Sequence, residues 1–410
     1  MHLIYSFYIP QTERLVNLCK VSNNLYNQAL YLFRQTLKNE NKWLWYADMD
    51  KLMKNTPNLE GEINYRLLKA QVSQQILKVL DNNIKAYCKA IKDFKTNPAK
   101  YKAMPQLPSF RKRSGLFNLY YPNQSAIIKN GKIRLAKDLE ILIPQWDKYK
   151  ERIQNFQQVR ILPSGKKLKV EIVYRQEVKD ADLDNFKYAS IDLGIDNLAT
   201  MVTDKGSFLY SGKFLKSYNR NFNRQLAKLQ SIKDKQGIKK ATKRMQNLYE
   251  KRDRYFEDAF HKYSRMIVNH LIENRIGNLV VGYNTGWKQS VNLGKRNNQK
   301  FVQIPFARLT SYLKYKCRIA GIRFVENEES YTSKCDALAK EEIGKHESYL
   351  GKRVSRGLFR SSTGRTVNAD VNGAVNILRK VVGDSDCISR IAGSGRMLRP
   401  IRCSSPFRVA

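Results

Sequence analysis

Tyr188-Ala-Ser-Ile-Asp-Leu-Gly-Ile-Asp-Asn-Leu-Ala-Thr-Met-Val-Thr203 reads as a strand, a tight turn and a second strand. Ile191 and Leu193 flank a single acid, Asp192. Gly194 lets the backbone turn directly after it. Leu198, Thr200 and Val202 then alternate with period two, as a half-buried strand requires. The pattern places a carboxylate at the exposed end of a central strand, with rigid backbone below and open space above. An enzyme can hold a metal ligand there. Taken alone, such an acid serves equally well as a turn residue or a cap.

A second acid lies near the other end of the chain, in Val367-Asn-Ala-Asp-Val-Asn-Gly-Ala-Val-Asn-Ile-Leu-Arg-Lys380. Asp370 opens a segment whose Val371, Ala374, Val375 and Leu378 follow helical spacing. An acid in a first helical turn suits the helix dipole and is often only a cap. Two acids on the rims of two elements can also share a divalent cation.

Composition narrows the partners. The 410 residues suffice for two or three domains. With 75 Lys and Arg against 36 Asp and Glu, the net charge is 75 − 36 = +39, far more than solubility needs. Such a surface suits a polyanion, and 23 Tyr and 17 Phe among the charges supply rings that stack on unpaired bases. A ribosomal protein or a membrane-surface protein would share the charge but has no use for the paired acids. None of the six Cys falls in a C-x-x-C pair, so neither a zinc knuckle nor a disulfide framework is expected. The N-terminus lacks a basic leader, and no apolar run approaches the roughly 20 residues of a membrane span. A cytoplasmic, nucleoid-associated chain with reduced thiols is the expectation.

Along the chain, Leu3 to Ile9 alternates like a strand that Pro10 ends. Helical stripes follow from Thr12 and from about Tyr65 to Phe94, separated by a loop around Lys51 to Glu62. The Pro-rich basic stretch Pro105–Gly115 marks a boundary and contains Arg111, Lys112 and Arg113. Asn130-Gly131 and Pro163-Ser-Gly-Lys166 signal two hairpins of a small antiparallel barrel. The N-terminal strand would belong to that barrel, with the helices as an insertion. From about Lys213 to Glu273 runs a basic helical segment that Gly237 divides. It carries Arg220, Arg224, Lys228, Lys243 and Arg244, which suit either a solvated face or a phosphate backbone. Leu279-Val-Val-Gly282 is a strand, Pro305 to Ala320 a helix and Ile322 to Val325 another strand. After Lys380 the periodicity ends, and an extended tail is expected.

The ordered motifs I-D-L-G-I-D-N-L-A-T, V-V-G-Y-N-x-G-W-K-Q, E-S-Y-T-S-K and N-A-D-V-N-G-A resemble the transposon-encoded TnpB family. That family consists of RNA-guided RuvC-type nucleases related to type V CRISPR effectors. The resemblance implies an α+β multidomain protein. Its parts would be a wedge β-barrel (1–10 and 105–180), a helical recognition lobe (11–104), an RNase H-like RuvC domain (185–380) and a C-terminal tail (381–410). Within the RuvC domain, 213–273 would be the basic helical insertion and 335–366 a metal-free replacement of the family's zinc knuckle. The implied partners are a guide RNA and double-stranded target DNA, bound by a monomer or a homodimer, with no membrane role. Arg111, Lys112, Arg113, Arg220, Arg224, Lys228, Lys243, Arg244 and Lys288 are the candidate nucleic-acid contacts.

The resemblance also implies two Mg²⁺ ions, for which Mn²⁺ can substitute, while the lack of the family's C-x-x-C pairs in this chain implies no zinc. In such sites two ions about 3.5–4 Å apart clamp the attacking and leaving oxygens of a phosphodiester. Most of the family ends the Leu279 strand with a catalytic glutamate, where this chain has Gly282. Some branches carry it instead on the E-S-Y-T-S motif, one strand away. Glu329 is therefore expected to join Asp192 and Asp370 as metal ligand and catalytic residue, with Glu326 and Glu328 as alternatives. Gly282 equally motivates a second reading, a nuclease-dead RNA-guided repressor, against which the two aspartates count. A strand-joining transposase ranks third.

Overall fold

The structure, a computed structural model, describes residues 1–178, 182–283, 304–355, 357–385, 388, 391, 395 and 398–403. They form two units, Met1–Glu177 and Val178–Ala410.

The first unit opens with β1 (His2–Pro10), followed by α1 (Glu13–Glu40), α2 (Tyr46–Met53) and α3 (Ala70–Thr96). Then come β2 (Leu119–Pro122), β3 (Ile127–Lys129), β4 (Lys132–Ala136), β5 (Leu139–Leu142), α4 (Trp146–Ile153), β6 (Phe156–Ser164) and β7 (Lys167–Arg175). An antiparallel sheet runs β1-β7-β6-β2, and β3-β4-β5 pair separately. His2 faces Arg175 and Pro10 faces Lys167, so the chain's first strand joins the unit's last. The three helices between β1 and β2 thus interrupt the strand sequence. Asn130 and Gly131 both adopt positive φ, 49° and 73°, as a two-residue hairpin between β3 and β4 demands. Helix α2 lies where the sequence shows no clear period. It is fixed by Asp81 of α3, whose Oδ1 accepts from the Tyr46 amide at 3.0 Å. Helix α3 starts at Ala70 rather than near Tyr65, because the preceding residues turn and the Ser73 hydroxyl donates to the Tyr65 carbonyl.

The second unit contains β8 (Asp184–Asp192), β9 (Asn197–Thr203), β10 (Gly206–Ser211), α5 (Lys213–Lys235), α6 (Lys243–Glu273) and β11 (Ile276–Gly282). It continues with α7 (Phe306–Ile319), β12 (Arg323–Asn327), β13 (Lys352–Ser355), β14 (Leu358–Arg360), β15 (Thr366–Asn368), α8 (Ala369–Val382) and β16 (Ile401–Cys403). The central sheet has the order β12-β11-β8-β9-β10-β16. Strands β8, β9 and β10 form an antiparallel meander, while β11 lies parallel to β8 and β12 parallel to β11. The last strand, β16, joins parallel to β10, so part of the expected extended tail is an edge strand.

Period-two alternation sends the sheet's two faces to different helices. Ala189, Ile191, Leu279 and Val281 pack with Phe256, Phe260 and Ile267 of α6 and with Leu309 and Leu313 of α7. Val202 and Val280 pack with Val371, Val375 and Leu378 of α8. Ser190 faces α8 too, its hydroxyl donating to the Ala374 carbonyl at 2.6 Å. By the same alternation Asp192 and Gly282, two residues beyond Ser190 and Val280, face α8. Strands β13, β14 and β15 form a small antiparallel sheet ahead of α8.

Candidate active site

Asp192 ends β8 and lies opposite Thr200 of β9. Gly194 follows in a turn so tight that a Cβ there would lie 2.7 Å from the Asn197 carbonyl oxygen. Asp370 stands in the first turn of α8, which Asn368 caps by accepting from the amides of Asp370 and Val371 at 2.9 and 3.3 Å. Asn197 donates its side-chain amide to Asp370 Oδ2 at 2.8 Å, tying the start of β9 to that carboxylate.

Glu329 follows β12, whose Asn327 pairs with Gly282. A Cβ built on Gly282 would lie 2.9 Å from Glu329 Oε2 and 2.4 Å from Ile377 Cδ1. The Glu329 carboxylate therefore fills the space into which a side chain at 282 would grow. Gly373 makes room likewise, since a Cβ there would lie 2.8 Å from Asp192 Oδ2. The charges sense one another. Burial pushes the Asp192 carboxyl well above the usual carboxylate range, and the charges of Glu329 and Asp370 push it further, with Arg353 opposing. Burial raises Glu329 also, against the pull of Lys380. The structure thus brings Glu329 and Asp370 within electrostatic range of Asp192. Glu326 and Glu328 point elsewhere, Glu326 pairing with Lys314 at 2.9 Å and Glu328 with Lys380 at 3.8 Å.

A divalent cation fits this donor set by its chemistry: hard carboxylate oxygens, one of them held against its own charge. Thr200 Oγ1, beside Asp192 in the sheet register, is buried and has no hydrogen-bond partner. Among the described residues no three His, Cys, Asp or Glu side chains approach closely enough to form a ready-made cage.

The loop bearing Glu329 is anchored by residues that the sequence reading passed over. Asn376 of α8 donates to the carbonyls of Thr332 and Cys335 at 2.9 and 2.7 Å. Asn372 donates to Cys335 at 2.8 Å and accepts from the Ala337 amide at 3.0 Å. Arg379 donates to Asn376 and forms a two-point pair with Asp384. Beyond this clamp, buried Asp336 accepts from the amides of Leu338, Ala339 and Ser362 and from the hydroxyls of Ser361 and Ser362. Glu341 accepts from the amides of Asp336 and Leu350. Two acceptor-only carboxylates thus gather the donors of the 336–362 segment. Asp336→Ala would leave several of those part-buried donors without this partner, at up to about 1–3 kcal/mol each. We expect a loss of at least about 3 kcal/mol, lowering the melting temperature of a unit this size by roughly 6–12 °C in calorimetry. An unchanged melting temperature would disprove the role of this node.

The other expected contacts are placed separately. Arg220, Arg224 and Lys228 lie exposed along one face of α5, and Lys243 and Arg244 lie exposed at the start of α6. Arg111, Lys112 and Arg113 are exposed in the first unit. Lys288 lies outside the described residues.

Residues 171–288, which include Asp192 and Gly282, match the OrfB_IS605 family model, described as a probable transposase. Residues 306–377, which include Glu329 and Asp370, match the model for the Cas12f1-like TNB domain. TnpB-like protein ORF457 of Acidianus two-tailed virus is 28% identical over 237 residues, covering 55% of this chain and 49% of that protein. Both stretches that carry the acids are thus similar to TnpB-type sequences. The chain spans about half the length of this viral TnpB-like relative. The fold of this chain is shared with the protein in a cryo-EM structure of a Cas12f1–sgRNA–target DNA complex. There the TM-score is 0.55 at 15% identity, over 89% of this chain and 82% of the other. No helix among the described residues is long and apolar enough to cross a membrane.

Proposed function

We propose that this chain is an RNA-guided DNA endonuclease of a transposable element, cutting DNA matched to a guide RNA beside a short flanking motif. The observation that carries the reading is Glu329 Oε2 against Gly282, which returns an acid to a family site whose usual position lacks one. The meander β8-β9-β10 with parallel β11 and β12 supports an RNase H-like nuclease domain within 185–380. The sheet joining β1 to β7 supports a wedge domain of 1–10 and 105–180 around a helical lobe of 11–104.

Asp192, Glu329 and Asp370 would hold two Mg²⁺ ions, which supply an activated water and charge stabilisation for phosphodiester hydrolysis. Asn197 orients Asp370 by its amide. Asn372 and Asn376 hold the loop that carries Glu329. Lys380 favours the ionised form of Glu329, the form that ligates. By analogy with guided nucleases, base pairing to the RNA would supply sequence choice. The repressor reading draws its support from Gly282, and Glu329 Oε2 beside that position favours cleavage over it.

The test is to purify the chain with its bound RNA, sequence that RNA, and challenge the complex with a library of matching plasmids in Mg²⁺. Cleavage beside one short motif is expected, and Asp192→Ala should abolish it while RNA binding persists. Binding without cleavage would support the repressor, and the absence of a defined RNA would undo the guided reading.

A further inference from the structure

We propose that the first unit holds an unpaired nucleotide of a bound strand in a cleft of about 770 Å³ between α1, α3 and the 105–116 segment. The proposal rests on the reading of the chain as nucleic-acid-binding, and not on cleavage.

The cleft is built from two rigid walls. On α3, Asn83, Ala86, Tyr87 and Ala90 recur at helical spacing and form a stripe distinct from the core stripe of Val72, Ile76, Leu80 and Ile84. The two alanines keep the floor low. The Asn83 amide nitrogen donates to the Tyr26 hydroxyl at 3.1 Å, which orients its oxygen as an acceptor, and the Tyr87 phenol ring offers a flat face. The opposite wall contains Pro105 and Pro108, and side chains of α1 fix its backbone. Arg34 donates to the Pro108 carbonyl at 2.6 Å. Asn27 exchanges two hydrogen bonds with the Arg111 backbone, at 3.1 and 2.8 Å. Asn23 donates to the Lys112 carbonyl at 3.0 Å. With the backbone held, the side chains of Phe110, Arg111 and Lys112 line the opening.

These side chains suit one kind of ligand. Phe110 is 48% exposed and lines the recess, with the Arg34 guanidinium 5.0 Å from its ring centre and the remaining ring surface open to water. Arg111 is oriented in advance: its guanidinium lies 4.0 Å from the Phe117 ring centre, and its Nε donates to Asn23 Oδ1. That leaves its terminal amines for an anion. A ring face, amide edges and an oriented cation together match a base with its phosphate. The volume falls within the roughly 300–1,000 Å³ of small-molecule sites. A duplex keeps its bases stacked and paired, and it cannot place one in such a recess without extruding it. The occupant is therefore an unpaired nucleotide, of the RNA or of an opened DNA strand.

The experiment uses the full chain stripped of co-purified nucleic acid. Its probes are short oligouridine RNA and oligothymidine DNA carrying 5-bromouracil, with a duplex of equal length for comparison. We expect the single strands to photocrosslink to Phe110 or Tyr87 and the duplex not to. Phe110→Ala should weaken single-strand affinity about five- to a hundredfold. Arg111→Ala should weaken it and lower the salt slope by about one. Because Arg111 also packs on Phe117, the decisive variant is Ala86→Trp. It fills the floor from an exposed position and should remove the crosslink without lowering the melting temperature. A stronger RNA crosslink assigns the nucleotide to the guide, and a stronger DNA crosslink assigns it to the target. Duplex crosslinking at the same residues, or single-strand affinity unchanged in all three variants, would overturn the proposal. A chain that never cuts DNA yet binds the strand here would defeat the nuclease reading and leave this one standing.

Discussion

Glu329→Ala is expected to reduce guide-directed cleavage by at least about a hundredfold, because even outer partners of a metal ligand are worth about 10–100-fold. Adding Gly282→Glu to that variant tests the geometry directly. A glutamate at 282 would return the acid to the strand end used by most of the family. Its Cβ, however, would lie 2.4 Å from Ile377 Cδ1, so the end of that fully buried side chain would have to shift within a packed core. The double variant should therefore stay inactive and lose stability. With Ile377→Ala as well, the carboxylate has room, and partial recovery is expected. The measurement is the cleavage rate of a matched plasmid at saturating Mg²⁺, with guide binding as the control. Recovery in the triple variant alone would establish that 282 and 329 address one metal site. Full activity in Glu329→Ala would show that the third acid lies elsewhere, with Glu326 and Glu328 the next residues to test.

The fold was most legible where local pattern and global fold agree. The turn after Asp192 and the apolar rhythm of α8 were readable because alternation and helical spacing act over a few residues. Asn130-Gly131 was readable because few residues other than Asn and Gly tolerate its backbone. What escaped depends on distant partners. Helix α2 has too few turns to show a period and is held by Asp81 from another helix. Asp336 looks like any loop acid until Ser361 and Ser362 fold back onto it. Asn372 and Asn376 did leave a signal: two amides one turn apart in an otherwise apolar helix must find partners when buried. They find them in the loop behind Glu329. Read that way, the pair would have located the loop that carries the third acid.

The same crowding of charge predicts how stability should vary with pH. Asp192 has its carboxyl pushed up by burial, by Glu329 and by Asp370, so the folded chain holds that proton more tightly than the unfolded chain does. Stability from this group is therefore greatest at or below the unfolded carboxylate range near pH 3.9 and is lost as pH rises toward the raised folded value. Burial gives Glu329 the same sign. Without divalent cations, Asp192→Asn removes a destabilising charge while preserving shape. The variant should melt higher than the parent at pH 7–8, and the gap should close toward pH 4. Each kcal/mol of relief corresponds to about 2–4 °C for a unit of this size. Comparing parent with variant at each pH cancels the repulsion among the many basic residues, which both share. Mg²⁺ should reverse the order, because a cation at free concentration c that binds only the folded state stabilises it by RT ln(1 + c/Kd). The parent keeps the ligand and gains, whereas the variant gains less. A gap that stays constant from pH 4 to 8, or Mg²⁺ raising both proteins equally, would show that the charge on Asp192 is neither strained by its neighbours nor part of a cation site.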